Sequence, residues 1–144
     1  MSISDAVTSI GGLIFDRAMS GWDVSVAVAA DGVDDRPIRI LGGRVITLAG
    51  PSRTGMQPRP HMLAVATDVM VKNEAVRRQV LAAGNDKEAE VLLWGRHHPT
   101  NLNWRFVAAR HRPSVAAHVF KSQALAAGGQ LVSQQADEGF YSLA

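Results

Sequence analysis

The chain has 144 residues, of which 47% are hydrophobic and 19% are charged, so its composition is that of a globular protein. It contains no cysteine, which excludes disulfides, thiol chemistry and cysteine-ligated zinc. No apolar run approaches the roughly 20 residues that cross a bilayer, and the first residues lack the pattern of a signal peptide. We therefore expect a single globular domain over residues 1–144, located in the cytoplasm and not bound to a membrane.

The net charge of +2 is small, but the charges are unevenly distributed. Residues 1–35 hold one arginine and six aspartates, whereas residues 36–61 hold five arginines and no acid. Residues 91–136 again hold five bases and no acid. The two acid-free segments would form a basic face if they meet in the fold, or ordinary ion pairs if they meet the acidic N-terminal segment.

The N-terminal third predicts one helix followed by strands. Isoleucine and valine recur at helical spacing in residues 3–19 and predict an amphipathic helix, in which Gly11-Gly12 would allow another element to approach closely. Residues 22–29 alternate valine with small or polar residues and predict a strand. Residues 37–41 resume an extended pattern after a turn, so the two segments predict an antiparallel hairpin. Residues 44–49 predict a further strand.

The middle of the chain carries the clearest pattern. An apolar run follows His61, a helix-like segment covers residues 73–84, and a second apolar run covers residues 89–95. A strand, a helix and a strand within about 35 residues have the spacing of a βαβ unit, whose two strands are parallel.

The C-terminal part predicts a strand at residues 104–109 and a helix over residues 114–127, with Ser114 as its N-cap. Residues 130–133 predict a short strand. The tail at residues 140–144 is expected to be loose unless its two aromatic side chains dock.

The C-terminal helix is expected to be amphipathic. Its predicted buried side consists of Ala116, Val119, Phe120, Ala124 and Ala127. Its predicted outer side consists of His118, Lys121 and Ser122.

Together these elements predict an α/β or α+β domain of two or three layers. Its mixed sheet would contain five or six strands and carry about three helices. The N-terminal pair of strands is expected to be antiparallel, and the central pair parallel.

The irregular loop at residues 50–60 is the first candidate site, because its two glycines have P-loop spacing directly after a predicted strand. A phosphate-binding loop continues with lysine and a hydroxyl residue, whereas this chain has Met56 and Gln57. The simpler interpretation is an exposed connector. The candidate ligand-binding residues of the loop are Ser52, Arg53 and Thr54.

Asp68 is the second candidate, because carboxylates at the carboxyl ends of parallel strands often face the ligands of α/β proteins. The stretch around it resembles the phosphoacceptor strand of response-regulator receiver domains over fewer than ten residues, which would imply phosphoacceptance by Asp68. The chain departs from that family because it opens with a helix instead of a strand ending in an acidic pair. A turn-capping role for Asp68 is the alternative.

The histidine-rich part of the chain lacks the features of a metal site. No acid lies between Glu90 and Asp137, and no two histidines stand four residues apart on a predicted helix. We therefore expect neither a metal site nor a cofactor.

A segment that interleaves aromatic residues with bases is the broadest candidate. Arginine and lysine neutralise phosphates, and tryptophan rings stack on unpaired bases. The corner at residues 110–113 also precedes a helix N-terminus, where anions bind. Alternatively, the tryptophans belong to the core and the arginines to a solvated rim. The candidate anion- or nucleic-acid-binding residues are Arg96, His97, His98, Arg105, Arg110, His111, Arg112 and Lys121.

These patterns support two functional hypotheses. The first is a non-enzymatic regulatory or adaptor protein, without catalytic residues, that binds another protein or nucleic acid through a basic face. The second is a small enzyme or phosphate-ligand binder that uses the loop at 50–60, Asp68 and residues 96–112. Because the edge strands of a small sheet need cover, we also expect self-association or a protein partner.

Overall fold

The computed structural model describes residues 3–28, 32–47, 60–85, 89–95, 106–129 and 137–143. The described residues form a mixed six-stranded sheet with helices on both faces, which confirms the predicted α/β class. The helices are α1 (Ile3–Met19), α2 (Arg36–Ile40), α3 (Thr67–Lys72), α4 (Glu74–Asn85) and α5 (Val115–Ala127). The strands are β1 (Val24–Val28), β2 (Arg44–Thr47), β3 (Met62–Ala66), β4 (Glu90–Trp94), β5 (Phe106–His111) and β6 (Glu138–Leu143).

The strands lie in the order β2-β1-β3-β4-β6-β5. The first four are parallel, whereas β6 is antiparallel to both β4 and β5. Strand β5 therefore runs in the same direction as β4, and five strands end at one edge of the sheet. We call this edge, marked by the strand ends Val28, Thr47, Ala66, Trp94 and His111, the carboxyl edge.

The predicted βαβ unit is confirmed. Strands β3 and β4 pair in parallel, with Ala64 opposite Leu92, and α3 and α4 connect them. All five residues of β3 are buried because helices cover both faces of the sheet.

The predicted N-terminal hairpin is wrong. Residues 36–40 form helix α2, and β2 pairs with β1 in parallel, with Val26 opposite Val45. Pro37 lies in the first turn of α2, where its missing N–H costs no intrahelical bond. Asp35 and Arg39 form an ion pair at 3.1 Å across one helical turn, which supports the helix.

The C-terminal tail docks through its aromatic residues instead of remaining loose. It forms β6, which lies between β4 and β5 inside the sheet. Phe140 packs on the α1 side of the sheet, and Tyr141 packs on the opposite side. The strand predicted at residues 130–133 lies outside the described residues.

Two hydrophobic clusters fill the spaces on the two faces of the sheet. Helices α1, α2 and α5 cover one face, and α3 and α4 cover the other. Helix α1 is buried along most of its length, and α5 packs against α1 and α2. In the part of the chain that is described, no helix is both long and apolar enough to span a membrane.

Candidate functional site: the two sides of helix α5

Helix α5 begins where the sequence predicts. The Ser114 hydroxyl oxygen accepts a hydrogen bond from the Ala117 amide at 3.0 Å, so Ser114 is the N-cap. Its hydroxyl also donates to Asp16 Oδ1 at 2.6 Å, and its amide donates to Asp16 Oδ2 at 3.0 Å. The cap therefore ties the N-terminus of α5 to α1.

The carboxylate of Asp16 also contacts β5, because His111 Nε2 lies 2.8 Å from Asp16 Oδ2. Burial opposes ionisation of Asp16, but the hydrogen bonds from Ser114 and His111 outweigh burial and lower the pKa of this carboxyl. An internal carboxylate thus occupies the helix N-terminus that the sequence predicts as an anion site.

The inner side of α5 faces α1 and consists mainly of small residues. Ala117 and Ala124 are fully buried, and Leu125 is nearly so. Lys121 lies on this same side with 2% of its side chain exposed, so the prediction that it faces outward is wrong.

Lys121 forms an ion pair with Glu138 on β6. Its Nζ lies 2.7 Å from Glu138 Oε2, and only 1% of the glutamate side chain is exposed. The same Nζ donates to the carbonyl oxygen of Thr8, on α1, at 2.9 Å. A buried ammonium needs such partners because removing it from water is costly when it is unpaired.

The glutamate completes this arrangement by capping a break in α1. Ile10 has non-helical dihedral angles (φ −139°, ψ 17°), so the helix is interrupted there. The amides of Gly12 and Leu13, just after the break, each donate to one oxygen of Glu138 at 2.7 Å. Lys121 and Glu138 therefore satisfy backbone groups on both sides of the interruption.

The paired glycines allow this close approach, as the sequence predicts. A Cβ atom at Gly12 would lie 2.6 Å from Pro113 Cβ and 3.1 Å from Glu138 Oε2. A Cβ atom at Gly11 would lie 3.3 Å from Lys121 Cγ. Side chains at these positions would separate α1 from the start of α5.

The outer side of α5 exposes apolar residues together with the uncharged polar residues Ser122 and Gln123. Val115 and Val119 are 84% and 52% exposed, and Phe120 is 37% exposed although its ring stacks on Phe15 with centroids 4.6 Å apart. The prediction that Val119 and Phe120 are buried is therefore wrong. The whole of α5 is described, and Lys121 is its one charged residue, so the outer side carries no charge.

The surroundings of the outer side carry paired charges on α2, and Arg112, three residues before Val115, is largely exposed near Asp137. Helix α2 packs beside α5, and Arg36 forms an ion pair with Asp34 at 2.8 Å. The hydrogen bonds from Arg36 lower the pKa of Asp34 to about 2. At the end of α1, one turn beyond Asp16, the apolar side chain of Met19 is also exposed.

The predicted basic candidates are only partly described. Arg110 and Arg112 are largely exposed, and their Nε atoms lie 3.9 and 3.7 Å from the Asp137 carboxylate. His111 contacts Asp16, and Lys121 is buried. The structure thus does not bring these four side chains into one outward basic face. The candidates outside the described residues are Ser52, Arg53, Thr54, Arg96, His97, His98 and Arg105.

Asp68 lies in the first turn of α3, half-buried at the carboxyl edge. The chain also leaves β2 and β4 at this edge, after Thr47 and Trp94. The loop at 50–59 and residues 96–105, which the second hypothesis also invokes, lie outside the described residues. Among the described residues, no group of three or more histidine or acidic side chains could hold a metal ion.

Comparison with known proteins yields only a likeness of fold. No protein-family model matches the chain, and no curated protein is similar to it. Among solved structures, the crystal structure of the antimicrobial reagent A40926 pseudoaglycone deacetylase is similar, with a TM-score of 0.56 at 12% sequence identity. The alignment covers 99% of this chain and 94% of that chain. At this identity, the likeness concerns the fold alone.

Proposed function

We propose that this protein is a non-enzymatic adaptor that binds another protein through the outer side of α5. The observation that carries the proposal is the distribution of side chains on this helix: the one charged residue faces inward, and Val115 and Val119 face solvent. The centres of protein interfaces are depleted of charged residues, and contiguous exposed apolar surfaces often mark such interfaces.

The structure favours an apolar contact surface over the basic one that the sequence suggests. Two of the four described basic candidates, His111 and Lys121, already contact internal carboxylates. Arg110 and Arg112 are available, but Asp137 lies near both guanidinium groups. Exposed ion pairs contribute little to affinity, and the buried core of an interface is more apolar than its rim.

Helix α5 is held in place before any partner arrives. Ser114 and Asp16 fix its N-terminal end, and Lys121, in its middle, binds Glu138 on β6. A surface that is already ordered loses little conformational entropy on binding. The partner expected to fit it is an apolar helix or groove without charge at its centre.

The proposal is tested by affinity capture from an extract of the native cell. Two variants are compared with wild type, each with one valine replaced by lysine on a different element. Val119→Lys places a charge on the outer side of α5, and Val107→Lys places one on β5, where the valine is similarly exposed at 54%. We expect wild type and Val107→Lys to capture the same proteins and Val119→Lys to lose them. Capture should persist after nuclease digestion.

Equal capture by Val119→Lys and wild type would overturn the proposal. If the captured proteins are lost after nuclease digestion, or are lost in an Arg110→Ala/Arg112→Ala variant alone, the result would instead support nucleic-acid binding by the basic candidates. Circular dichroism of each variant checks that the fold is intact. We expect an intact fold, because single exposed substitutions usually change stability little.

A ligand site at the carboxyl edge is the second candidate function, and the strand order favours it. The chain goes from β1 to β2 on one side and then crosses to β3 on the other, so the switch point lies between β1 and β3. Open α/β sheets bind ligands at such points, outside the carboxyl ends of the strands. Asp68 follows β3 there, and the structurally similar protein is a deacetylase.

Nuclear magnetic resonance titration tests this second candidate. The probes are inorganic phosphate and a small acetylated amine, with released acetate measured in parallel. A ligand at this edge would shift the amide signals of Thr67 and Asp68, and Asp68→Asn would weaken the effect. Unchanged signals at millimolar probe would exclude both ligand classes.

A further inference from the structure

We infer that α1 and α5 together form a carboxylate-binding site, which binds a free carboxylate such as acetate when the side chain of Glu138 is removed. The site consists of the amides of Gly12 and Leu13 and the ammonium of Lys121, and Glu138 occupies it as a ligand that the chain itself supplies. This inference concerns the inner side of α5 and does not depend on the proposed function.

The donors of the carboxylate site match the two oxygens of one carboxylate. Glu138 Oε2 accepts from the Gly12 amide and from Lys121 Nζ, and Oε1 accepts from the Leu13 amide, each at 2.7 Å. Successive amides at the start of a helical segment attract an anion, and an ammonium beside them adds a charge-assisted hydrogen bond. The arrangement therefore favours a planar anion with two oxygens.

The donors are also held in place by contacts that do not involve Glu138. Lys121 Nζ donates to the carbonyl oxygen of Thr8 at 2.9 Å. The second half of α1 is tied to the start of α5, because Asp16 accepts from the Ser114 hydroxyl at 2.6 Å. A site whose donors are already ordered loses little conformational entropy when a ligand binds.

The space left by the Glu138 side chain has the size of acetate. Glu138→Ala deletes Cγ and the carboxylate, which together correspond to the heavy atoms of one acetate ion. Only 1% of this side chain is exposed, so the deletion leaves an enclosed space beside the three donors. The main chain at this position is held by pairing with His111 on β5. Sulfate and phosphate are tetrahedral and larger than the deleted group, so they should overpack the space.

A free carboxylate should bind weakly, because it lacks the high effective concentration of a group attached to the chain. We expect a dissociation constant of about 10 mM. If acetate binds only the folded state, about 200 mM acetate then raises the equilibrium constant for folding of Glu138→Ala by about twentyfold.

Urea unfolding of the full-length Glu138→Ala chain in sodium acetate tests the inference. Sodium chloride at the same ionic strength gives the general effect of salt, and acetamide gives the effect of a neutral molecule of the same shape. We expect acetate to stabilise Glu138→Ala relative to both references, and wild type to be equally stable in acetate and in chloride. Equal stability of Glu138→Ala in acetate and in chloride would overturn the inference.

Two further outcomes are decisive. If Glu138→Ala is unfolded in dilute buffer, acetate should restore the far-ultraviolet circular dichroism of wild type, and failure to do so at about 0.5 M acetate would overturn the inference. Sulfate should stabilise Glu138→Ala no more than it stabilises wild type. A specific gain in sulfate equal to the gain in acetate would show that the site is not selective for carboxylates.

Two control variants and one spectroscopic measurement locate the bound acetate. Phe140→Ala removes another buried side chain of β6 but leaves an apolar space, so acetate should not stabilise it. Lys121→Met/Glu138→Ala lacks the ammonium, and its dissociation constant for acetate should be more than about tenfold higher. In Glu138→Ala, acetate should shift the amide resonances of Gly12 and Leu13. Equal stabilisation of Phe140→Ala, or unmoved resonances of both amides, would overturn the inference.

Discussion

The inner and outer sides of α5 invert the usual placement of charge. The inner side buries Lys121 among alanines, whereas the outer side exposes Val115 and Val119. The inner side binds a specific set of polar groups on α1 and β6. The difference shows that a charged residue can be buried in a core when fixed hydrogen-bond partners are present there.

The buried ion pair between Lys121 and Glu138 does not by itself imply a gain in stability. Replacing such pairs by apolar residues is often neutral or stabilising, because desolvation offsets the attraction. Here Glu138 also accepts from two backbone amides, and Lys121 donates to a backbone carbonyl. We therefore attribute to the pair a structural role: it satisfies the interrupted helix α1 and sets the position of β6.

Removing the acid from the inner side should have the largest effect. Glu138→Ala leaves the buried Lys121 ammonium without its counter-charge, with the Thr8 carbonyl as its remaining described partner, and leaves the amides of Gly12 and Leu13 without their described partner. We expect a cost of about 3–5 kcal/mol in free energy of unfolding. Lys121→Met keeps the volume and leaves Glu138 bound to both amides, so it should cost less, about 1–3 kcal/mol. Urea unfolding measures both values.

The order of these two costs is the decisive outcome. A Lys121→Met variant that is less stable than Glu138→Ala would show that the ammonium, and not capping of α1, dominates the inner side. Val119→Lys serves as the outer-side reference, and it should change stability by less than about 0.5 kcal/mol.

Adding a methyl group at the contact between α1 and α5 should have the next largest effect. Gly12→Ala places a Cβ 2.6 Å from Pro113 Cβ, and overpacking of this kind costs about 1–3 kcal/mol. Gly139→Ala is the control, because a Cβ there meets no atom within 4 Å. Similar thermal midpoints for the two variants would contradict the close contact described above.

The cap at the start of α5 should depend on acid pH. Because the pKa of Asp16 is lowered in the folded state, its stabilisation is present above the ordinary value of 3.8 and is lost as the pH falls through the folded pKa. We expect Asp16→Asn to cost about 1 kcal/mol near neutral pH, and the difference from wild type to shrink below pH 3.8. Urea unfolding from pH 6 to about pH 2.5 measures it.

Asp34→Asn is the comparison for that experiment. Asp34 binds Arg36, which is two residues away and exposed, so the contact can persist in the unfolded chain. Asp34→Asn should therefore change the acid dependence of stability less than Asp16→Asn does. An equal effect of both substitutions would indicate that Asp16 does not tie α1 to α5.

The smallest effect is expected on nucleic-acid binding. Arg110 and Arg112 are exposed bases just before α5, and Asp137 lies near both. Replacing both with alanine should flatten the salt dependence of any oligonucleotide binding by about one unit per lost phosphate contact. Fluorescence titration at several salt concentrations measures it. Tight wild-type binding that disappears in this variant would restore the basic-face hypothesis.

Several local patterns were sufficient to predict structure. Strands β3 and β4 are parallel because their apolar runs flank a helical segment of the right length, and α5 begins at Ser114 because a hydroxyl N-cap is a local signal. The segment at 36–40 was mispredicted because isoleucines at positions 38 and 40 alternate as in a strand. Only Ile38 is fully buried, and the helical pair between Asp35 and Arg39 outweighs the alternation.

The sequence by itself determined the α/β class, the central βαβ unit and the N-cap of α5, because each depends on residues close together in the chain. Only the tertiary structure decided which side of α5 faces the core. Lys121 is buried because it meets Glu138, 17 positions away, and Thr8, 113 positions away. Hydrophobic spacing within one helix carries no information about such distant partners, and they are what compensates for burying a charge.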